Sequence, residues 1–145
     1  MSESRDFVIS VEHATLNISP IGFRKWAQHY LKCRADFRSP DNFSPVPYFL
    51  LCRAIELALK ARHLETLRQK EVKDRFGHNL AEAYRALPKY SQVLTDAEFA
   101  VLRNANIIYM GKGFEYFSAL DAATAFKRFP DLQALDAIAT KLLKS

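Results

Sequence analysis

The sequence predicts an all-α protein, an antiparallel up-and-down bundle of five to six helices. Three observations support this class. Apolar residues recur at a helical period over long segments, helix-start motifs follow the loops, and only 4 Gly and 6 Pro occur in 145 residues. The hydrophobic content of 49% is enough for the core of one domain. We therefore expect an N-terminal arm at 1–18 and a single helical-bundle domain at 19–145.

The N-terminal arm alternates apolar and polar residues, first at Phe7, Ile9 and Val11 and again at Leu16 and Ile18. This period of two is typical of a short strand, and it equally fits an extended segment lying on the bundle. The opening residues lack the basic start and apolar centre of a signal peptide, and no apolar run reaches the ~20 residues that span a bilayer. We therefore expect a cytoplasmic protein without membrane association.

The first helix should begin at Ser19-Pro20, because Ser is a favoured N-cap residue and Pro suits the first helical position. It should extend to about Ala35. Several of its apolar residues follow helical spacing and are predicted to lie in the core. Its buried side is predicted at Phe23, Ala27, Tyr30 and Leu31, and the same helical spacing extends to Trp26, Cys33 and Phe37.

The same region carries an excess of positive charge. Positions 24–38 hold five basic residues against one acidic residue, a net of +4 in a chain whose formal charge is +5. We interpret this excess as a solvated basic face. The alternative is a weak nucleic-acid interface, because basic residues interleaved with aromatic residues bind phosphates. The candidate contacts are Arg24, Lys25, Lys32 and Arg34.

The helix that starts at Pro47 is the centre of the predicted fold. No Gly or Pro occurs from Tyr48 to Leu67, and apolar residues fill most of the helix circumference at about 100° per residue. An ordinary surface helix is apolar over a narrower stripe, so this helix should be surrounded on most sides. The charged segment that follows is interpreted as a turn, in which Gly77 fits a turn or a helix C-cap.

Four polar residues share a stripe of the central helix that is roughly 80° wide. They are Arg53, Glu56, Lys60 and His63. Glu56 precedes Lys60 by four residues, the favourable order for a helical ion pair, so one interpretation is a solvated seam or a paired structural cluster. The other is a cleft or dimer face that binds a partner protein or a nucleotide, together with Asn79.

Two capping boxes predict the next helices. Asn79 and Glu82 form the first, and Thr95 and Glu98 form the second. The second of these helices should end at Gly111-Lys112-Gly113, which lacks the length of a phosphate-binding loop.

The C-terminal part begins with Phe114, Tyr116 and Phe117, which are predicted to belong to the core. Asp121 is expected to cap a short helix that extends to Phe129. A last helix then follows Pro130-Asp131. Its buried face is predicted at Leu132, Leu135, Ile138 and Leu142.

Parts of the chain resemble the HEPN superfamily. AIELALKARHL (54–64) followed by GHNLAEAYRAL (77–87) is similar to that family's apolar helix with Glu-x-x-x-Lys and its Gly-His-Asp/Asn-Leu turn. NANIIYMGKGFEYF (104–117) is similar to the later helix that ends in an aromatic stretch. The resemblance covers roughly residues 45–118. It implies a helical bundle, often dimeric, linked to toxin–antitoxin, phage-defence or RNA-processing systems.

The resemblance also implies candidate catalytic residues. Some HEPN members cleave RNA with an Arg followed four to six residues later by a His, and others are non-catalytic partners of small nucleotidyltransferases. The matching His is His78, but positions 71–73 hold Glu, Val and Lys, and Arg75 is only three residues before it. The implied set is therefore His78 with Lys73 or Arg75, where the Lys73 ammonium lacks the planar fork of a guanidinium.

We expect a non-catalytic HEPN-like module that dimerises and binds a protein, nucleotide or nucleic-acid partner, including a nucleotidyltransferase-type protein. The alternative is a divergent, metal-independent RNase. Cleavage through the 2′-hydroxyl needs an acid or base near neutral pKa and a cation for the phosphorane charge, which His78 and a basic neighbour would supply. No His or Cys residues form a close ligand pair, so we predict no metal and no cofactor.

Overall fold

The computed structural model describes residues 8–11 and 14–145, and for 8–11 and 14–16 it describes the backbone alone. β1 (Val8–Val11) pairs antiparallel with β2 (Ala14–Asn17). The alternating segment of the predicted arm thus forms a two-stranded hairpin where it is described. Phe7 and the rest of the predicted arm at 1–7 and 12–13 lie outside the described residues.

Beyond the hairpin the structure is a helical bundle, and this confirms the all-α class. The described residues form seven α-helices: α1 (Ser19–Asp36), α2 (Val46–His63), α3 (Gln69–Phe76), α4 (Leu80–Arg85), α5 (Asp96–Met110), α6 (Ala119–Ala123) and α7 (Leu132–Lys144). One turn of 3₁₀ helix covers Lys89–Ser91. None of the described helices combines the length and the apolar character needed to cross a membrane.

The central position predicted for α2 is confirmed. Leu51, Ile55 and Leu59 are almost fully buried in the main core, and α2 contacts α1, α4, α5 and α7. The helix ends at His63, whereas the sequence predicts an end between about Leu67 and Glu71. After His63 the chain continues in turns, in which the Leu67 amide donates a hydrogen bond to the His63 carbonyl oxygen.

The charged segment after α2 is a helix, so the prediction of a turn is wrong. Val72 and Phe76 are buried and lie four residues apart on one face of α3. Two apolar residues among many charged ones give a weak periodic pattern in the sequence. Gly77 ends the helix at φ 53°, a left-handed conformation that favours glycine, and the predicted C-cap is confirmed.

The N-terminus of α1 differs by one residue from the prediction. Ile18 occupies the N-cap position and Ser19 is the first helical residue. Asn17 Oδ1 accepts a hydrogen bond from the Ser19 amide at 3.1 Å, so the Asn17 side chain satisfies one of the free amides of the helix start.

Several residues predicted for the core are exposed. On α1, Ala27 is fully buried against α2, but Trp26 is 62% exposed and Cys33 is also exposed. Helical spacing predicts too many core residues here, because only a narrow stripe of α1 packs against the rest of the bundle. After α5, Phe114 is buried as predicted, whereas Tyr116 and Phe117 are exposed.

The C-terminal helices are held by two caps and an aromatic cluster. Ser118, not Asp121, caps α6, and buried Asp121 instead accepts two hydrogen bonds from Arg128 at 2.6 and 2.8 Å. Asp131 caps α7 through the Ala134 amide. The rings packed between these segments and the start of α2 are Phe43, Tyr48, Phe114, Phe126 and Phe129.

We expect Gly113→Ala to destabilise the fold by about 1–3 kcal/mol, because overpacking in a filled site forces neighbours to shift. A Cβ at Gly113 would lie 2.6 Å from Ile108 Cγ2. The matched control is Gly22→Ala in α1, where nothing lies within 4 Å of the added Cβ. That variant should gain roughly 0.5–1 kcal/mol from helix propensity. Urea unfolding measures both, and equal stabilities would contradict the packing described around Gly113.

Candidate functional site

The carboxylate of Glu56 lies inside the bundle, with the residue only 4% exposed. Its Oε2 accepts hydrogen bonds from Lys60 Nζ at 3.0 Å and from Arg53 Nη1 at 3.4 Å. Its Oε1 accepts from the Tyr109 hydroxyl at 2.7 Å and from His78 Nδ1 at 2.9 Å. One carboxylate therefore joins α2, the turn before α4, and α5.

The protonation of this cluster follows from its surroundings. Burial disfavours the charged form of Glu56, but Lys60, Tyr109 and His78 outweigh burial and hold the pKa of Glu56 below its ordinary value. Burial and the neighbouring carboxylate raise the pKa of Tyr109, so its hydroxyl stays protonated and donates. Burial opposes the charge of Arg53, but Tyr109 and Glu56 raise its pKa, so the guanidinium remains charged.

The turn that carries His78 is fixed by α5. Asn106 Oδ1 accepts from the Leu80 amide at 2.8 Å, and Asn106 Nδ2 donates to Asn79 Oδ1 at 3.0 Å. Asn79 Oδ1 also accepts from the Glu82 amide at 3.1 Å, which confirms Asn79 as the N-cap of α4. His78 is thus anchored by its own side chain and through the residues directly after it.

A cleft of about 280 Å³ opens beside His78. It is lined by Phe49, Arg53, His78, Tyr109, Met110, Lys112 and Glu115. Lys112 adopts φ 60°, a left-handed conformation that is uncommon for a residue with a Cβ. Its ammonium is 4.0 Å from Glu115 Oε2, so the pair is loose and exposed. The cleft therefore presents two cations, one carboxylate and one imidazole.

The imidazole of His78 is oriented for acid–base chemistry. Its side chain is 61% exposed although Nδ1 is bound to the buried carboxylate. A carboxylate only accepts hydrogen bonds, so Nδ1 carries the proton, and Nε2 keeps its lone pair when the ring is neutral. An imidazole with one nitrogen held by a carboxylate and the other free is the arrangement of a positioned general base.

The structure brings together most of the polar stripe predicted on α2. Arg53 lies with His78 at the cleft. Glu56 is buried behind His78 and binds Lys60 through its other carboxylate oxygen. His63 is separate: its Nε2 donates to the Ala83 carbonyl oxygen at 2.8 Å, and burial lowers its pKa. Because Glu56, Lys60 and His63 are buried, the interpretation as a solvated seam is wrong. Glu56 and Lys60 form a buried ion pair, and His63 binds a backbone carbonyl.

The two basic residues proposed to act with His78 lie elsewhere. Lys73 and Arg75 are exposed on α3, and neither lines the cleft. The Arg75 guanidinium lies 5.3 Å from the centroid of the Phe76 ring. Two cations share the carboxylate of Glu56 with His78, namely Arg53 and Lys60. Of these two, Arg53 lines the cleft, and it comes from a different helix, α2. The sequence pattern of an Arg four to six residues before the His therefore does not identify Arg53.

Ion pairs neutralise much of the basic face predicted on α1. Three of its four candidate residues pair with carboxylates: Arg24 with Glu65 at 3.6 Å, Lys32 with Asp36 at 2.8 Å and Arg34 with Asp136 at 3.3 Å. Lys25 is exposed. A nucleic-acid role for this face stays a prediction, weakened by these partners.

The sequence does not identify three residues of the site, which are Asn106, Tyr109 and Lys112. Helical spacing places Tyr109 on the apolar face of its helix, so the sequence does not show that its hydroxyl binds a carboxylate. One clue was present, since Asn106 interrupts an otherwise apolar face three residues before Tyr109. A polar residue at such a position is buried only when it has partners.

No family model, curated protein or solved structure matches this chain. The similarity to the HEPN superfamily therefore rests on the sequence segments given above. Within the described residues, no group of three or more His, Cys, Asp or Glu side chains is arranged to hold a metal ion.

We expect Glu56→Gln to destabilise the protein by about 3–5 kcal/mol at neutral pH, because Lys60 is left buried without its counter-charge. The pKa of Glu56 is lowered on folding, so its contribution is complete above the ordinary value of 4.5 and is lost as pH falls through the folded pKa. The difference between wild type and variant should therefore shrink in acid.

Urea unfolding between pH 7 and pH 3 measures this difference. The control is Glu115→Gln, an exposed residue whose loss should change the free energy of unfolding by less than about 0.5 kcal/mol. A Glu56→Gln protein as stable as this control at neutral pH would contradict the role given to Glu56.

Proposed function

We propose that this chain is a HEPN-like helical module that dimerises and binds a phosphate-bearing ligand, a nucleotide or RNA, in the cleft beside His78. The observation that carries the proposal is the convergence of Arg53, His78 and Lys112 on one cleft from three different parts of the chain. A defence or toxin–antitoxin role in the cytoplasm, with a nucleotidyltransferase-type partner, belongs to the same proposal through the HEPN resemblance.

The charges of the cleft support a phosphate ligand. Arg53 gives one of its donors to Glu56, and a guanidinium has five N–H donors in a planar fork that suits phosphate. Lys112 adds an exposed ammonium that is only loosely held by Glu115. A phosphate would therefore meet two cations without displacing a tight ion pair.

The exposed apolar residues of α5 support a contact with another chain. Ile107 and Met110 are exposed, and Met110 also lines the cleft. Exposed apolar residues at the rim of a polar cleft are typical of a protein interaction site. A second copy of the chain is the partner that the HEPN resemblance implies.

RNA cleavage is the second candidate, and the contact between His78 Nδ1 and Glu56 favours it. In this scheme Nε2 of His78 removes the proton of a ribose 2′-hydroxyl, and the oxygen attacks the adjacent phosphorus. The bond from phosphorus to the 5′-oxygen then breaks, which leaves a 2′,3′-cyclic phosphate and a 5′-hydroxyl that takes its proton from water. Arg53 and Lys112 stabilise the added negative charge. In this scheme the cation is Arg53 instead of Lys73 or Arg75, because Arg53 shares the cleft with His78.

We expect Lys112→Gln to weaken binding of adenosine monophosphate at least tenfold, because a hydrogen bond to a charged group contributes roughly 1.5–3 kcal/mol. Lys127→Gln is the charge-matched control, since Lys127 is exposed and lines a different surface. Calorimetric titration gives the dissociation constants. Equal affinities for the wild type and both variants, or no binding at all, would contradict a phosphate site in the cleft.

An RNA-cleavage assay on wild type and His78→Ala separates the two candidates, with light scattering to measure the molar mass of each. Loss of an acid–base group lowers rates by about 10²–10⁴. If the chain is an RNase, His78→Ala should reduce cleavage by that factor at unchanged mass. Absence of cleavage with intact nucleotide binding supports the non-catalytic module, and cleavage that persists in His78→Ala excludes the assigned base.

A further inference from the structure

A second cationic feature lies on the surface formed by α4 and α5. Arg85 is the last residue of α4 and Arg103 lies midway along α5. Both guanidinium groups lie over the ring of Phe99, at 4.9 and 5.9 Å from its centroid. Both distances are within the ~6 Å range of cation–π attraction. The three residues belong to the lining of a cleft of about 440 Å³.

These two arginines differ from Arg34 and Arg128 in their charge balance. In the part of the chain that is described, no carboxylate forms an ion pair with Arg85 or Arg103. Arg34 and Arg128, by contrast, pair with aspartates. Asp96 is a carboxylate in the lining of this cleft, so two positive charges face one negative charge.

The backbone under this feature is held firmly. Gln92 Nε2 donates to the carbonyl oxygens of Arg85 at 3.1 Å and Leu87 at 2.9 Å, and so ties the end of α4 to the following turn. The Tyr84 ring packs against Phe99, with centroids 5.5 Å apart. The platform for both guanidiniums is thus ordered before any ligand arrives, which lowers the entropy cost of binding.

The Arg85–Phe99–Arg103 cleft and the His78 cleft both include residues of α5. Arg103 precedes Tyr109 by six residues of α5, a rise of about 9 Å along the helix axis. Asn106 lies between these two residues in α5, and its contact with Asn79 ties α5 to the start of α4. A single phosphate group cannot occupy both places, whereas a short polynucleotide can.

We propose that Arg85, Phe99 and Arg103 form a second phosphate subsite, which binds the backbone of a single-stranded RNA whose other phosphate occupies the His78 cleft. The inference rests on the proposed function, and it specifies the ligand as a polynucleotide instead of a mononucleotide. The two guanidiniums cover the Phe99 ring, so the ring supports the charged groups instead of stacking on a base. The subsite should therefore recognise phosphates with little preference for the base.

The test compares an oligoadenylate of about six nucleotides, a length within the range of single-strand sites, with adenosine monophosphate. The double variant Arg85→Gln/Arg103→Gln should bind the oligonucleotide at least tenfold more weakly and bind the mononucleotide like wild type. The slope of log K against log salt should also fall by about 0.7 for each lost phosphate contact. Lys127→Gln serves as the control for loss of charge.

Two further variants make the outcome specific. Arg103→Lys keeps the charge but loses the planar group on Phe99, so its affinity should lie between those of wild type and Arg103→Gln. If the double variant binds the oligonucleotide as wild type does, the subsite is refuted, and an acidic protein surface becomes the ligand to examine. If wild type fails to bind the mononucleotide, the His78 cleft is refuted, while the effect of the double variant on the oligonucleotide still decides this proposal.

Discussion

The buried carboxylate of Glu56 is the constraint on which the arrangement of α2, α4 and α5 depends. An ionised carboxylate inside a protein loses several kcal/mol of hydration, and well-placed donors must replace it. Here the donors are Arg53 and Lys60 on α2, His78 in the turn and Tyr109 on α5. The same contacts that satisfy the charge therefore fix the packing of the helices and the orientation of His78.

Helix α5 connects this constraint with the rest of the surface. Its buried side places Asn106 and Tyr109 against the His78 turn, and its exposed side carries Ile107 and Arg103. A shift of α5 along its axis would break the contacts of Asn106 and Glu56 together. The helix thus sets the distance between the His78 cleft and the arginines near Phe99.

Much of the fold follows from local patterns in the sequence. A sequence predicts the features that depend on neighbours within a turn or on composition. Here these features are the caps at Asn79 and Thr95, the C-cap at Gly77 and the buried α2. Two partners of Glu56, His78 and Tyr109, are not predicted, because Tyr109 is 53 residues away and the contact exists only after folding. For that reason the sequence leaves open whether the stripe is a solvated seam, a paired structural cluster or a binding face.

The most direct test of this account is the tautomer of His78, measured by ¹⁵N NMR of the imidazole nitrogens at a pH where the ring is neutral. If Glu56 holds the ring as described, the proton resides on Nδ1, and Nε2 has the chemical shift of an unprotonated nitrogen. In Glu56→Gln this preference should weaken. A wild-type ring that carries its proton on Nε2, or that averages between both forms like a free histidine, would contradict the account.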